Sequence, residues 1–107
     1  MTTDILTDLY DTIESRKGGD PASSYVAGLF HKGRAKIAQK VGEEAVETCI
    51  EALQDNHDKL AEESADLLFH LMILWADAGI RPDDVFAVLQ QRRGISGHAE
   101  KAARAPE

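Results

Sequence analysis

Cysteine is nearly missing from this chain: Cys49 is the only one in 107 residues, so no intrachain disulfide can form. It falls in Val46-x-x-Cys49-Ile50-x-x-Leu53, on the apolar side of a helical pattern, and reads as inert core packing. Proline is scarce, with three residues, and no run of alternating β-branched residues is present. That combination argues against a sheet protein and for an all-α fold. Positive charge is short as well. Lys and Arg number 12 against 19 Asp and Glu, a net charge of −7, which argues against general nucleic-acid binding while leaving a phosphorylated substrate open. There is no stretch of about 18 apolar residues and no leader-like N-terminus. No membrane contact is expected, and the cytoplasm is the default location. No internal repeat stands out.

What is present suits one globular domain with a modest core: apolar residues make up 43% of the chain. The spacing predicts helix one from about Thr3 to Arg16, with Ile5, Leu6, Leu9, Tyr10 and Ile13 on one face and Gly18-Gly19 as its stop. A short helix from Tyr25 to Phe30 follows a Ser23 or Ser24 cap. Helix two runs from about Arg34 to Gln54, with Ile37, Val41, Ala45, Cys49, Ala52 and Leu53 as its buried stripe. Gly42 inside it costs roughly 1 kcal/mol against alanine. Either it is a tolerated packing glycine or it lets a ligand or another backbone come close. Asp55-Asn56-His57-Asp58 reads as a turn. Helix three runs from about Lys59 to Ala78 and ends at Gly79. Pro82 opens helix four, with Asp83 and Asp84 near its positive end and Val85, Phe86 and Leu89 packing it down. Residues 1–93 form the expected domain. Gly94 to Glu107 reads as a C-terminal tail.

The chemistry lies in the acids. In the run from Ala65 to Trp75 every residue is apolar except Asp66 and His70. A helix apolar nearly all round is buried, and a buried carboxylate needs a partner or a metal. Asp66 pairs with Glu63 one turn earlier, and helix two carries Glu44-x-x-Glu47. Suppose helices two and three form an antiparallel hairpin centred at Asp55. Glu47 then lies level with Glu63, Glu44 with Asp66 and Lys40 with His70. The stripes Lys40-Glu44-Glu47 and Glu63-Asp66-His70 mirror each other, and each stays on one face. Four facing carboxylates repel until protonated or bridged by a divalent cation. Oxygen-only ligands from Glu44, Glu47, Glu63 and Asp66 suit Mg²⁺, with Mn²⁺ as the alternative, and not zinc. Upstream, His31 to Lys40 carries four Lys/Arg and no acid. A basic patch beside a carboxylate cluster is what a metal–polyphosphate ligand needs. His70 reads first as a core histidine with Asp66 as a ready partner and second as a substrate contact. Lys32, Arg34 and Lys36 also fit an ordinary solvated surface.

The string Glu43-Glu44-x-x-Glu47, fifteen residues, then Glu63-x-x-Asp66 resembles the signature of the all-α nucleoside-triphosphate pyrophosphohydrolases, the MazG-like superfamily. A more specific likeness lies in Ser24-Tyr25-Val26-Ala27-Gly28-Leu29-Phe30-His31-Lys32-Gly33 and in Lys40-Val41-Gly42-Glu43-Glu44-Ala45. With Ala65-Asp66-Leu67-Leu68-Phe69-His70-Leu71, these resemble the phosphoribosyl-ATP pyrophosphohydrolase family of histidine biosynthesis, from about Leu6 to Arg92. The resemblance implies a MazG-like bundle of four to five helices assembled as a homodimer. It implies Mg²⁺-dependent hydrolysis of 1-(5-phosphoribosyl)-ATP to 1-(5-phosphoribosyl)-AMP and pyrophosphate. It also implies a stand-alone form and contact with the next enzyme of the pathway. By the same resemblance Glu44, Glu47, Glu63 and Asp66 hold the metal, and Glu43 is a further ligand through water or a base. Lys32, Lys36 and Lys40 face phosphates, and Ser24 and Tyr25 shape the site.

Two other readings remain beside it. One is a house-cleaning dNTP or NTP pyrophosphohydrolase of the same superfamily, separable by a substrate panel. The other is a non-enzymatic helical interaction module whose acidic face binds a basic partner. That module predicts that Glu44→Gln or Asp66→Asn leaves function intact.

Overall fold

A computed structural model of the chain describes residues 5–93. It holds five helices: α1 Ile5–Ser15, α2 Tyr25–Lys32, α3 Arg34–Leu53, α4 His57–Ala78 and α5 Pro82–Arg92. There is no strand among the described residues. The fold is all-α, as the periodicity predicts. The centre is an antiparallel hairpin of α3 and α4. Arg34 near the start of α3 is bound to Asp77 near the end of α4, and the Thr48 hydroxyl lies 3.2 Å from the Glu63 carbonyl oxygen close to the turn. α1 packs on α4 and α5, and α2 on α3 and α4.

Local chemistry sets the ends of these helices. Ser24 caps α2 by accepting from the Ala27 N–H, and Asn56 caps α4 by accepting from the Lys59 N–H. α2 runs on to Lys32, two residues beyond the expected Phe30. Its break from α3 falls at Gly33, whose φ of 100° is out of reach for ordinary side chains. α4 begins at His57 rather than Lys59, because Asn56 takes the cap. Gly79 closes α4 in the left-handed conformation, and its N–H and that of Ile80 bond back to the last turn. Pro82 starts α5 at its first position. α1 is described from Ile5. Thr3 and the 94–107 tail lie outside the described residues.

The core gathers at one end. Tyr10 and Ile13 of α1, Val26 and Leu29 of α2, Ile37 of α3 and Met72, Ile73 and Ala76 of α4 form one buried cluster. Among the described residues the other end of the hairpin has only its own two helices, and three expectations change there. Asp66 is exposed, not buried, since no third described helix covers that turn of α4. Cys49 is exposed, not core. The buried stripe of α3 fades toward its end, where Ala52 is exposed and Leu53 reaches 88% exposure. On α5, Val85 and Phe86 are half-buried while Leu89 is exposed. No helix among the described residues is long and apolar enough to cross a membrane.

Candidate active site

Periodicity delivers two acidic stripes to the hairpin seam. Glu44 projects from α3, and Glu63 and Asp66 project from α4. One carboxylate oxygen from each lies within 4.8 Å of the others. Glu44 is only 8% exposed. The Oε1 atom of Glu63 is buried and has no hydrogen-bond partner in the described structure. A buried carboxylate oxygen without a partner, on a residue that stands with two other acids, is an unfavourable arrangement unless a cation joins it. The Glu63 carboxyl titrates above its ordinary value. Burial is the first cause, followed by the charge of Glu47, a hydrogen bond with Glu44 and the charges of Glu44 and Asp66. The Thr48 hydroxyl, 2.7 Å from the Glu44 carbonyl oxygen and also near that of Glu63, ties the helices at this level.

Around this triad the other expected residues take different places. Glu47 is exposed and stands outside the three-carboxylate group, yet its charge still acts on Glu63. With Gln39, Gly42, Glu43 and Val46 it lines an open concavity of about 570 Å³ along α3. A Cβ added at Gly42 would meet nothing within 4 Å, so no packing among the described residues requires glycine there. Glu43 accepts from the Gln39 side chain at 2.7 Å and pairs with Lys40 at 3.3 Å. Those bonds, Gln39 first, hold its carboxyl below the ordinary range. Lys40 also reaches Glu44 at 3.8 Å and so links the basic segment to the cluster. Lys36 adds its charge to the field on Glu43.

Ser24, Tyr25 and Lys32 line a second cleft, of about 210 Å³, with Pro21, Gly28, Leu29 and His31. The Ser24 hydroxyl is engaged in the helix cap. Tyr25 joins this cleft to the acidic cluster, because its hydroxyl lies 2.7 Å from Nε2 of His70. His70 does find Asp66, but through Nδ1 to the backbone carbonyl at 2.8 Å and not through the carboxylate. Sequence reasoning named Tyr25 and His70 without pairing them. Nothing in a separation of 45 positions announces a contact. Gln39 was missed altogether. Its place four residues before Glu43 was the one available signal.

Comparison with known proteins bears on this geometry. A family model described as phosphoribosyl-ATP pyrophosphohydrolase matches residues 6–93. A phosphoribosyl-ATP pyrophosphatase of Azospirillum brasilense is 62% identical over 100 residues, covering 94% of this chain and 90% of that protein. A protein of the same name from Paramagnetospirillum magneticum is 57% identical, covering 94% and 93%. One from Gluconobacter oxydans is 55% identical, covering 96% and 77%.

Proposed function

We propose, from the premise that this chain belongs to the phosphoribosyl-ATP pyrophosphohydrolase family, that it hydrolyses 1-(5-phosphoribosyl)-ATP to 1-(5-phosphoribosyl)-AMP and pyrophosphate in histidine biosynthesis. The observation that carries the reading at the level of atoms is the orphaned, buried Glu63 oxygen beside Glu44 and Asp66. The donors are all hard oxygens, which fits Mg²⁺ or Mn²⁺. Glu44, Glu63 and Asp66 would hold the cation, with Glu47 at the edge. When bound, the cation supplies charge neutralisation and Lewis acidity at the phosphates. Lys40, one turn from Glu44 and paired with both Glu43 and Glu44, is placed to exchange a carboxylate for a phosphate oxygen. Lys36, one turn before Lys40, continues that positive strip along α3, and Lys32 lines the α2 cleft. Glu43 stays ionised under Gln39 and Lys40 and stands ready to orient an attacking water or take its proton.

The reading includes a homodimer in the cytoplasm. Val46, Ile50 and Leu53 on α3, Leu68 on α4 and Val88 and Leu89 on α5 are all exposed. Apolar side chains in such number suit burial against a second copy. A lone cysteine suits a reducing compartment.

The test is pyrophosphate release from phosphoribosyl-ATP by wild type and by Asp66→Asn, with and without Mg²⁺. Turnover is expected only with the cation, falling in the variant by on the order of a hundredfold or more. Phosphate in place of pyrophosphate, or an Asp66→Asn protein as active as wild type, would sink the assignment.

A further inference from the structure

The hydrogen bonds of His70 settle which way a proton points. A carbonyl oxygen only accepts, so the contact from Nδ1 to the Asp66 carbonyl at 2.8 Å puts the ring's proton on Nδ1. The ring is 5% exposed and lies edge-on to both Phe69 and Tyr25. In the Nδ1–H tautomer Nε2 carries a lone pair and accepts. The phenol of Tyr25, 2.7 Å away, must be the donor. Its pKa is raised, by burial first, so the proton stays on the oxygen at neutral pH. With that proton committed to His70, the Tyr25 oxygen has only lone pairs left for anything else that reaches it.

Where this oxygen stands decides what it meets. The Tyr25 side chain is 55% exposed and lines the cleft with Ser24, Gly28 and Lys32. Its hydroxyl also feels the charges of Lys40, Glu44 and Asp66. It therefore sits between the cleft and the carboxylate triad. Phosphate oxygens are acceptors and gain nothing from an acceptor. A sugar hydroxyl is a donor. His70 follows Asp66 by one helical turn on α4, so the phenol bonded to it belongs to the same stretch of the hairpin as the acids, and the sugar next to a phosphate held there is the nearest donor-bearing part of the nucleotide.

We propose that Tyr25 is a specificity residue for the sugar of the nucleotide, with His70 as its positioning residue: the imidazole fixes the phenol as an acceptor, and a hydroxyl of the adenosine ribose donates to it. This rests on the pyrophosphohydrolase reading above.

Two measurements test it. Nitrogen-15 NMR of the imidazole rings, with His70 assigned through His70→Gln, should show the Nδ1–H tautomer for His70. An Nε2–H ring would leave the phenol proton free and overturn the proposal without reference to activity. The second measurement is kcat/KM on phosphoribosyl-ATP and on its 2′-deoxy and 3′-deoxy counterparts in the adenosine sugar. Wild type should prefer the ribose form over one of the two by roughly threefold to tenfold, the worth of one neutral hydrogen bond. In Tyr25→Phe that ratio should fall to about one, with the change in KM more than in kcat. His70→Leu should lose the ratio, and His70→Gln, which keeps an acceptor, should retain part of it. Equal losses on all three substrates in Tyr25→Phe would reduce the residue to packing. A wild type silent on phosphoribosyl-ATP would remove the underlying reading itself, and this assignment with it.

Discussion

Near its end α4 buries Met72, Ile73 and Ala76, whereas Ala65, Asp66 and Leu68, one to two turns earlier, stand open to solvent. Both stretches belong to the same apolar run. What separates them is cover. α1, α2 and α5 are short, with 11, 8 and 11 residues, and the core they build lies at one end of the α3–α4 hairpin. There the hairpin is buried in one hydrophobic cluster. At the other end the acids and Leu53 and Leu68 stand at or near the surface of the hairpin, where the proposed cation, nucleotide and second copy would meet them. Burial in this molecule follows the reach of the neighbouring helices more than the hydropathy of the residue.

The sharpest way to break that division is Ile73→Ala in the dry end. It should cost about 2–5 kcal/mol in denaturant unfolding, with kcat of the remaining folded protein near that of wild type. A large fall in kcat at full stability would mean that the two ends are not separable. At the open end, Leu53→Glu should change the stability of a single chain by no more than roughly 0.5 kcal/mol, since the side chain is already in water. Sedimentation should nevertheless show the dimer dissociating at concentrations where wild type stays paired. An unchanged sedimentation profile would move the interface elsewhere.

Acidity sharpens the contrast further. The Glu63 carboxyl titrates high, so the folded chain binds more protons than the unfolded one between the ordinary glutamate value and the raised one. The metal-free protein should therefore lose stability as pH rises through that interval. Glu63→Gln should flatten the dependence, and thermal unfolding in chelator from pH 4 to pH 7 reads it. The smallest effect belongs to Tyr10, whose hydroxyl lies 2.9 Å from Glu14 and 2.8 Å from the Ile80 carbonyl oxygen. Burial, then the bond to Glu14, pushes its pKa up to about 12. Its contribution is present below the ordinary tyrosine value and is lost as pH rises toward 12. Tyr10→Phe should cost about 1 kcal/mol near neutrality and remove that alkaline loss.

Much of this was legible in the chain. The five helical segments, the Ser24 cap, the Gly79 stop and the Pro82 start follow from local rules of turn and cap. The pairing of Glu44 with Asp66 across the hairpin follows from helical period and a short turn. The place of Cys49 did not, because a residue on an apolar stripe is buried only if another element arrives to cover it. The same holds for Asp66, which the apolar run around it made to look buried.

By itself, then, the sequence determined the helices, their ends to within about two residues, the antiparallel hairpin and the meeting of three acids across it. Each of these depends on spacings of a few residues or on one short connection. Only the tertiary structure decided which end of the hairpin is dry and which oxygen of Glu63 is left without a partner. It alone also decided that Tyr25 meets His70 across 45 positions. Those are outcomes of how separate helices pack, and packing depends on the shapes of surfaces that no local spacing encodes.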